Sequence, residues 1–74
     1  MLSKTKFQNI LGDNIRKIRT NKGITQDELA SKCGFYRTYI NLIETSKRLP
    51  SSLSLYKIAF ALEVTVDELY PKTV

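Results

Sequence analysis

The 74-residue chain contains no histidine and no tryptophan, a single cysteine, two prolines and three glycines. Without histidine, the side chain most often used for proton transfer near neutrality is missing. A lone Cys33 cannot close an internal disulfide, and no Cys/His cluster has the spacing of a zinc site. No nucleophile–base pair or phosphate-binding glycine loop stands out, so an enzyme is not expected, nor is a cofactor, metal or small-molecule ligand. No apolar run approaches the length of a membrane span. The basic stretch Ser3-Lys4-Thr5-Lys6 lacks a following apolar core, so it does not read as a secretory signal. Few glycines and prolines at 42% hydrophobic content point to an ordered chain, read as one domain over residues 1–74. A core of that size is modest, and association can supplement it. The expected compartment is the cytoplasm.

What is present is positive charge, unevenly placed. Residues 1–48 hold ten Lys/Arg against four Asp/Glu, a balance of +6, whereas residues 49–74 hold two against three, a balance of −1. A cationic half of this kind attracts a phosphate backbone by counterion release before any base is read.

Apolar spacing predicts five helices and no strands. Phe7, Leu11, Ile15 and Ile18, with Ile10 alongside, form one stripe of a first helix from about Thr5 to Asn21. Gly23 ends it in a left-handed position. Thr25 and Glu28 form a capping-box signature for a second helix, which buries Leu29, Ala30 and Cys33 and breaks at Gly34. A third helix spans roughly Arg37 to Thr45, with Ile40 and Ile43 inward and Arg37, Thr38, Asn41 and Thr45 outward. Pro50-Ser51-Ser52 opens a fourth, carrying Leu55, Ile58, Ala59 and Leu62. Thr65 and Glu68 start a short fifth that Pro71 stops. A short helix, a glycine turn and a second helix with basic and hydroxylated outer residues can seat that second helix in a DNA major groove. The pair covers about residues 25–45.

The marks Ile15-Arg16-Lys17-Ile18-Arg19, Gly23-Ile24-Thr25-Gln26, Leu29-Ala30, Gly34, Ile40, Ile43-Glu44, Pro50-Ser51, Leu55, Ile58-Ala59, Leu62 and Asp67-Glu68-Leu69 stand at family spacing. From about Asn14 to Tyr70 the chain resembles phage-repressor/Cro-type helix-turn-helix proteins. Arg37-Thr38-Tyr39-Ile40 and the short length resemble the controller proteins of restriction–modification systems within that type. The resemblance implies an all-α, compact five-helix lambda-repressor-like domain. It further implies a sequence-specific transcriptional regulator, bacterial or phage, working on the nucleoid.

Arg37, Thr38, Tyr39 and Asn41 are the candidate base-reading residues. An arginine fork can donate two hydrogen bonds to guanine, worth roughly 1–3 kcal/mol of discrimination; the alternative for Arg37 is a phosphate grip. Thr38 offers a hydroxyl and a methyl. Tyr39 either meets DNA or packs over the helix pair. The resemblance implies that the Arg-Thr-Tyr triplet reads an operator. Gln26, Lys47, Arg48, Ser51 and Ser52 are candidate phosphate contacts, with Gln26 alternatively a plain surface residue and the serines alternatively helix caps. Arg19 and Glu44 are expected to form an interhelical ion pair that seats the third helix, as in similar repressors. Three departures from the family stand out. Ser46 replaces a common glycine, Tyr36 replaces a small polar cap, and Leu42 lies where the helix should be wet.

One recognition helix reads too few base pairs to select a site. A homodimer on a near-palindromic operator is therefore expected, with Tyr56, Phe60, Val64, Val66 and Tyr70 as the interface, in a region of about 56–70. The alternative is that these aromatics cover Leu2 and Phe7. The controller resemblance implies regulation of the chain's own operon, with RNA polymerase as a further partner if it activates. A phage or mobile-element repressor, an antitoxin, or a protein-interaction module lacking specific DNA binding are the other readings of this fold.

Overall fold

The computed structural model describes residues 2–72. Five helices follow one another: α1 (Lys4–Asn21), α2 (Gln26–Cys33), α3 (Arg37–Glu44), α4 (Ser52–Leu62) and α5 (Val66–Leu69). No strand occurs among the described residues.

Local chemistry sets the helix ends. α1 starts one residue before the expected Thr5, because the Ser3 hydroxyl accepts from the Lys6 N–H at 3.1 Å. Both capping boxes form. Thr25 Oγ1 accepts from the Glu28 N–H at 3.0 Å while Glu28 Oε1 accepts from the Thr25 N–H at 2.8 Å. Thr65 and Glu68 repeat the exchange at α5. Gly34, at φ 75°, turns the chain out of α2 and lets the Phe35 N–H reach the Ala30 carbonyl at 2.9 Å. Ser46 occupies the left-handed position after α3 at φ 64°. There the Lys47 N–H bonds the Leu42 carbonyl at 2.8 Å and the Ser46 N–H bonds that of Ile43 at 3.1 Å. This is the termination a glycine normally supplies, held here by a serine.

Leu11 and Ile15 of α1, Leu29 of α2, Ile40 and Ile43 of α3, Ile58 and Leu62 of α4 and Leu69 of α5 are fully buried. All five helices therefore contribute to one core. Phe7 and Ile18, expected on the same stripe of α1, are only half-buried at its margin. Gly12 lies where α1 passes the end of α3. A Cβ there would sit 2.6 Å from the Ile43 carbonyl oxygen, so a side chain would push the two helices apart. Cys33 is buried, its Sγ 3.6 Å from the Lys57 carbonyl oxygen. Burial pushes its thiol up, against the opposing pull of the Lys57 charge.

Candidate nucleic-acid interface

The outer face of α3 carries Arg37, Thr38 and Asn41, all exposed, around a shallow depression of about 260 Å³. Their spacing follows the helix period: Arg37 and Asn41 are one turn apart, with Thr38 beside them. Arg37 keeps its side chain 65% exposed, and its Nε lies 3.8 Å from Asp27 Oδ1, a charge at the start of α2. Thr45, at the far end of the same face, turns its hydroxyl back to the Asn41 carbonyl at 2.8 Å. Leu42 is half-buried, at the edge of that face rather than at its centre.

Tyr39 packs over the helix pair. Its ring meets Phe35 edge-on with centroids 4.9 Å apart, and its hydroxyl donates to Ser54 Oγ at 2.9 Å. Ser51 Oγ donates to the same Ser54 Oγ at 3.1 Å and accepts from the Ser54 N–H. A chain of hydroxyls thus ties α3 to the start of α4. The hydroxyl proton of Tyr39 is used in it, so the side chain braces α3 against α4. Ser51 caps α4, and Ser52 stands exposed at the first position of that helix. Lys47 and Arg48 are exposed past the end of α3, with the Arg48 guanidinium 5.9 Å from the Tyr39 ring centroid.

A buried network seats α3. Arg19 gives Glu44 two hydrogen bonds, Nε to Oε2 at 2.7 Å and Nη2 to Oε1 at 3.0 Å, and a third from Nη1 to the Ile24 carbonyl at 2.7 Å. The side chains are 11% and 2% exposed. Gln26 joins it by donating Nε2 to Glu44 Oε1 at 3.1 Å. Its amide faces inward, which leaves its remaining N–H and the α2 N-terminus as the groups able to meet phosphate.

Other supports escaped the sequence reading. Gln8 Nε2 donates to the Ser46 carbonyl at 2.9 Å, which braces the left-handed exit of α3, and Asn14 Nδ2 donates to the Leu69 carbonyl at 2.9 Å. Gly12 escaped it too, its one signal being a glycine within a helical pattern. Gln8, Asn14 and Ser54 carried no local signal.

On the opposite half, Tyr56 and Phe60 are 59% and 73% exposed, with ring centroids 6.2 Å apart. A groove of about 240 Å³ runs beside them, lined by Ala59, Val64, Thr65 and Val66. Neither aromatic covers the N-terminal segment. Tyr70 does, its ring centroid 5.6 Å from that of Phe7. Among the described residues there is no cluster of three metal-ligating side chains, and no helix is long and apolar enough to cross a membrane.

The sequence profile of the helix-turn-helix family matches residues 15–69. A curated relative from Sinorhizobium fredii, an uncharacterized HTH-type transcriptional regulator called y4dJ, is 35% identical over 90% of this chain and 87% of its own length. The crystal structure of the restriction–modification controller protein C.AhdI from Aeromonas hydrophila superposes with a TM-score of 0.82. It has 34% identity, covering 84% of this chain and 94% of that one. SinR, a master regulator for biofilm formation solved in complex with DNA, superposes with a TM-score of 0.76. It has 35% identity, covering 80% of this chain and 95% of that one.

Proposed function

This chain belongs to the helix-turn-helix family of transcriptional regulators, and from that premise we propose that it binds a near-palindromic operator as a homodimer and controls a restriction–modification operon that includes its own gene. The observation that carries the reading is the exposed outer face of α3, with Arg37 at its start and Lys47 and Arg48 just past its end, braced by Arg19–Glu44 below it and by Tyr39–Ser54 at its side. In this reading Arg37, Thr38 and Asn41 meet base edges, while Tyr39 orients them. Lys47, Arg48 and Ser52, with the amides at the α2 start beside Gln26, meet phosphates on the flanks. Each phosphate neutralised by a cation contributes about −0.9 to the salt slope of binding.

The dimer forms through exposed Tyr56 and Phe60 with half-buried Val64 and Val66 beside them, in the half without net positive charge. Tyr70 contributes only its outer edge, since its ring also packs on Phe7. The likeness to the C.AhdI controller supports the choice of operon. The likeness to SinR, solved with DNA, supports the ligand. Residues 1–74 act as one domain, working in the cytoplasm on the nucleoid, with RNA polymerase as a partner where the operator lies upstream of a promoter.

Selection of bound sites from random duplex DNA tests the proposal. The expected product is a two-fold symmetric consensus with half-site centres about 34–36 Å apart. An unsymmetric or featureless pool refutes it.

A further inference from the structure

We propose that Asp27 is a positioning residue for base reading: its carboxylate draws the Arg37 guanidinium by charge on the side of its inner nitrogen and disfavours its grip on phosphate. The inference rests on the DNA-reading role of α3 given above. Arg37 is the first residue of α3 and Asp27 the second of α2, so the contact spans the turn between the two helices. It is made by Arg37 Nε, 3.8 Å from Asp27 Oδ1. Contact at Nε leaves the two terminal nitrogens of the planar fork free, and these are the donors for an end-on approach to guanine O6 and N7.

The side chains of the pair are 65% and 78% exposed, so neither supports the core. The α2 capping box is closed by Glu28, so Asp27 favours the start of that helix only by its charge in the first turn. A carboxylate beside Arg37 repels a phosphate backbone, which weakens binding to any duplex. The compensation is selectivity. A free arginine is a flexible cation that takes any phosphate within reach. Beside Asp27, the same group meets a phosphate against the carboxylate's repulsion, whereas a guanine edge is neutral and accepts from the fork with far less penalty. Asp27 therefore suppresses non-specific binding more than operator binding.

The test uses the full chain with two labelled duplexes, the one enriched from a random pool and a scrambled version, at one fixed salt concentration. Fluorescence anisotropy compares wild type with Asp27→Asn, Asp27→Glu, Arg37→Ala and the Asp27→Asn/Arg37→Ala double variant. Asp27→Asn is expected to cut the ratio of operator to scrambled affinity by about 2–5-fold, the scale of an exposed ion pair, chiefly by tightening the scrambled duplex. Asp27→Glu keeps the ratio, and in the Arg37→Ala background Asp27→Asn tightens both duplexes equally. Circular dichroism melts confirm that these exposed substitutions leave the fold intact. An equal gain on both duplexes with Arg37 present overturns the proposal, as does a ratio loss that persists without Arg37. Wild type showing operator preference with an unchanged ratio in Asp27→Asn removes the Asp27 role alone. Wild type with no preference removes the DNA-reading role of α3 as well.

Discussion

Replacing Arg19 with alanine should be among the most damaging single changes to this chain, although Arg19 lies outside the reading face. The substitution deletes both bonds to Glu44 and the bond to the Ile24 carbonyl. Glu44, 2% exposed in the intact chain, then keeps the Gln26 amide as its side-chain partner among the described residues. An uncompensated buried charge of this kind costs roughly 3–5 kcal/mol. A 74-residue chain is expected to have roughly 4–11 kcal/mol of total stability, at about 0.05–0.15 kcal/mol per residue. The loss therefore takes about a quarter of the stability or more, and at about 4–8 °C per kcal/mol the melting temperature falls by at least about 12 °C. Urea unfolding followed by circular dichroism reads the change as a lower midpoint with an unchanged slope. The control removes both charges: Arg19→Met with Glu44→Leu leaves no ion unpaired and should recover most of the stability. A loss below about 1 kcal/mol for Arg19→Ala would refute the reasoning, since that is the worth of an exposed pair.

Ser46→Gly should stabilise the chain by roughly 0.5–1 kcal/mol, read as a raised urea midpoint, because the left-handed backbone at φ 64° suits glycine. The only bond lost is a weak one from Ser46 Oγ to the Gln8 carbonyl at 3.4 Å. Glu28 is held below the ordinary carboxylate range by the Thr25 backbone N–H, then by the Thr25 hydroxyl. Its contribution is complete above the unfolded carboxylate's titration and is lost as pH falls through the lowered folded value. The stability gap between wild type and Glu28→Gln should accordingly narrow on acidification, and thermal melts from neutral pH downward would show a constant gap if the capping box carried none of it.

Much of this arrangement was legible because it is written locally. Thr25 with Glu28, Thr65 with Glu68, and the glycines at 23 and 34 punctuate the chain within three or four residues of themselves, and each acts in the structure where the sequence puts it. The apolar period likewise placed Leu11, Ile15, Ile40, Ile43, Ile58 and Leu62 in the core. The Arg19–Glu44 pair was reached by resemblance to similar repressors, since nothing within either helix announces a partner 25 residues away.

What stayed hidden depends on distances that only packing creates. Gln26 looks like a surface amide until α3 brings Glu44 within 3.1 Å of it. For Tyr39 the sequence leaves a DNA contact and packing over the helix pair both open, and its bond to Ser54 appears only when the start of α4 is carried to its hydroxyl. Gly12 shows its purpose only once the Ile43 carbonyl closes on it. Tyr36, 88% exposed and making no side-chain cap bond, leaves the start of α3 without the usual hydroxyl. Nothing else in the fold explains that choice.

The most direct test of the account is whether one side chain discriminates one base pair. Affinity is measured for the selected operator and for a version with the guanine assigned to Arg37 replaced, using wild type and Arg37→Ala. The prediction is a penalty of about 1–3 kcal/mol for that replacement in wild type, and essentially none in Arg37→Ala. If the alanine variant still distinguishes the two duplexes as sharply as wild type does, the outer face of α3 is not read through Arg37 and the central claim is wrong.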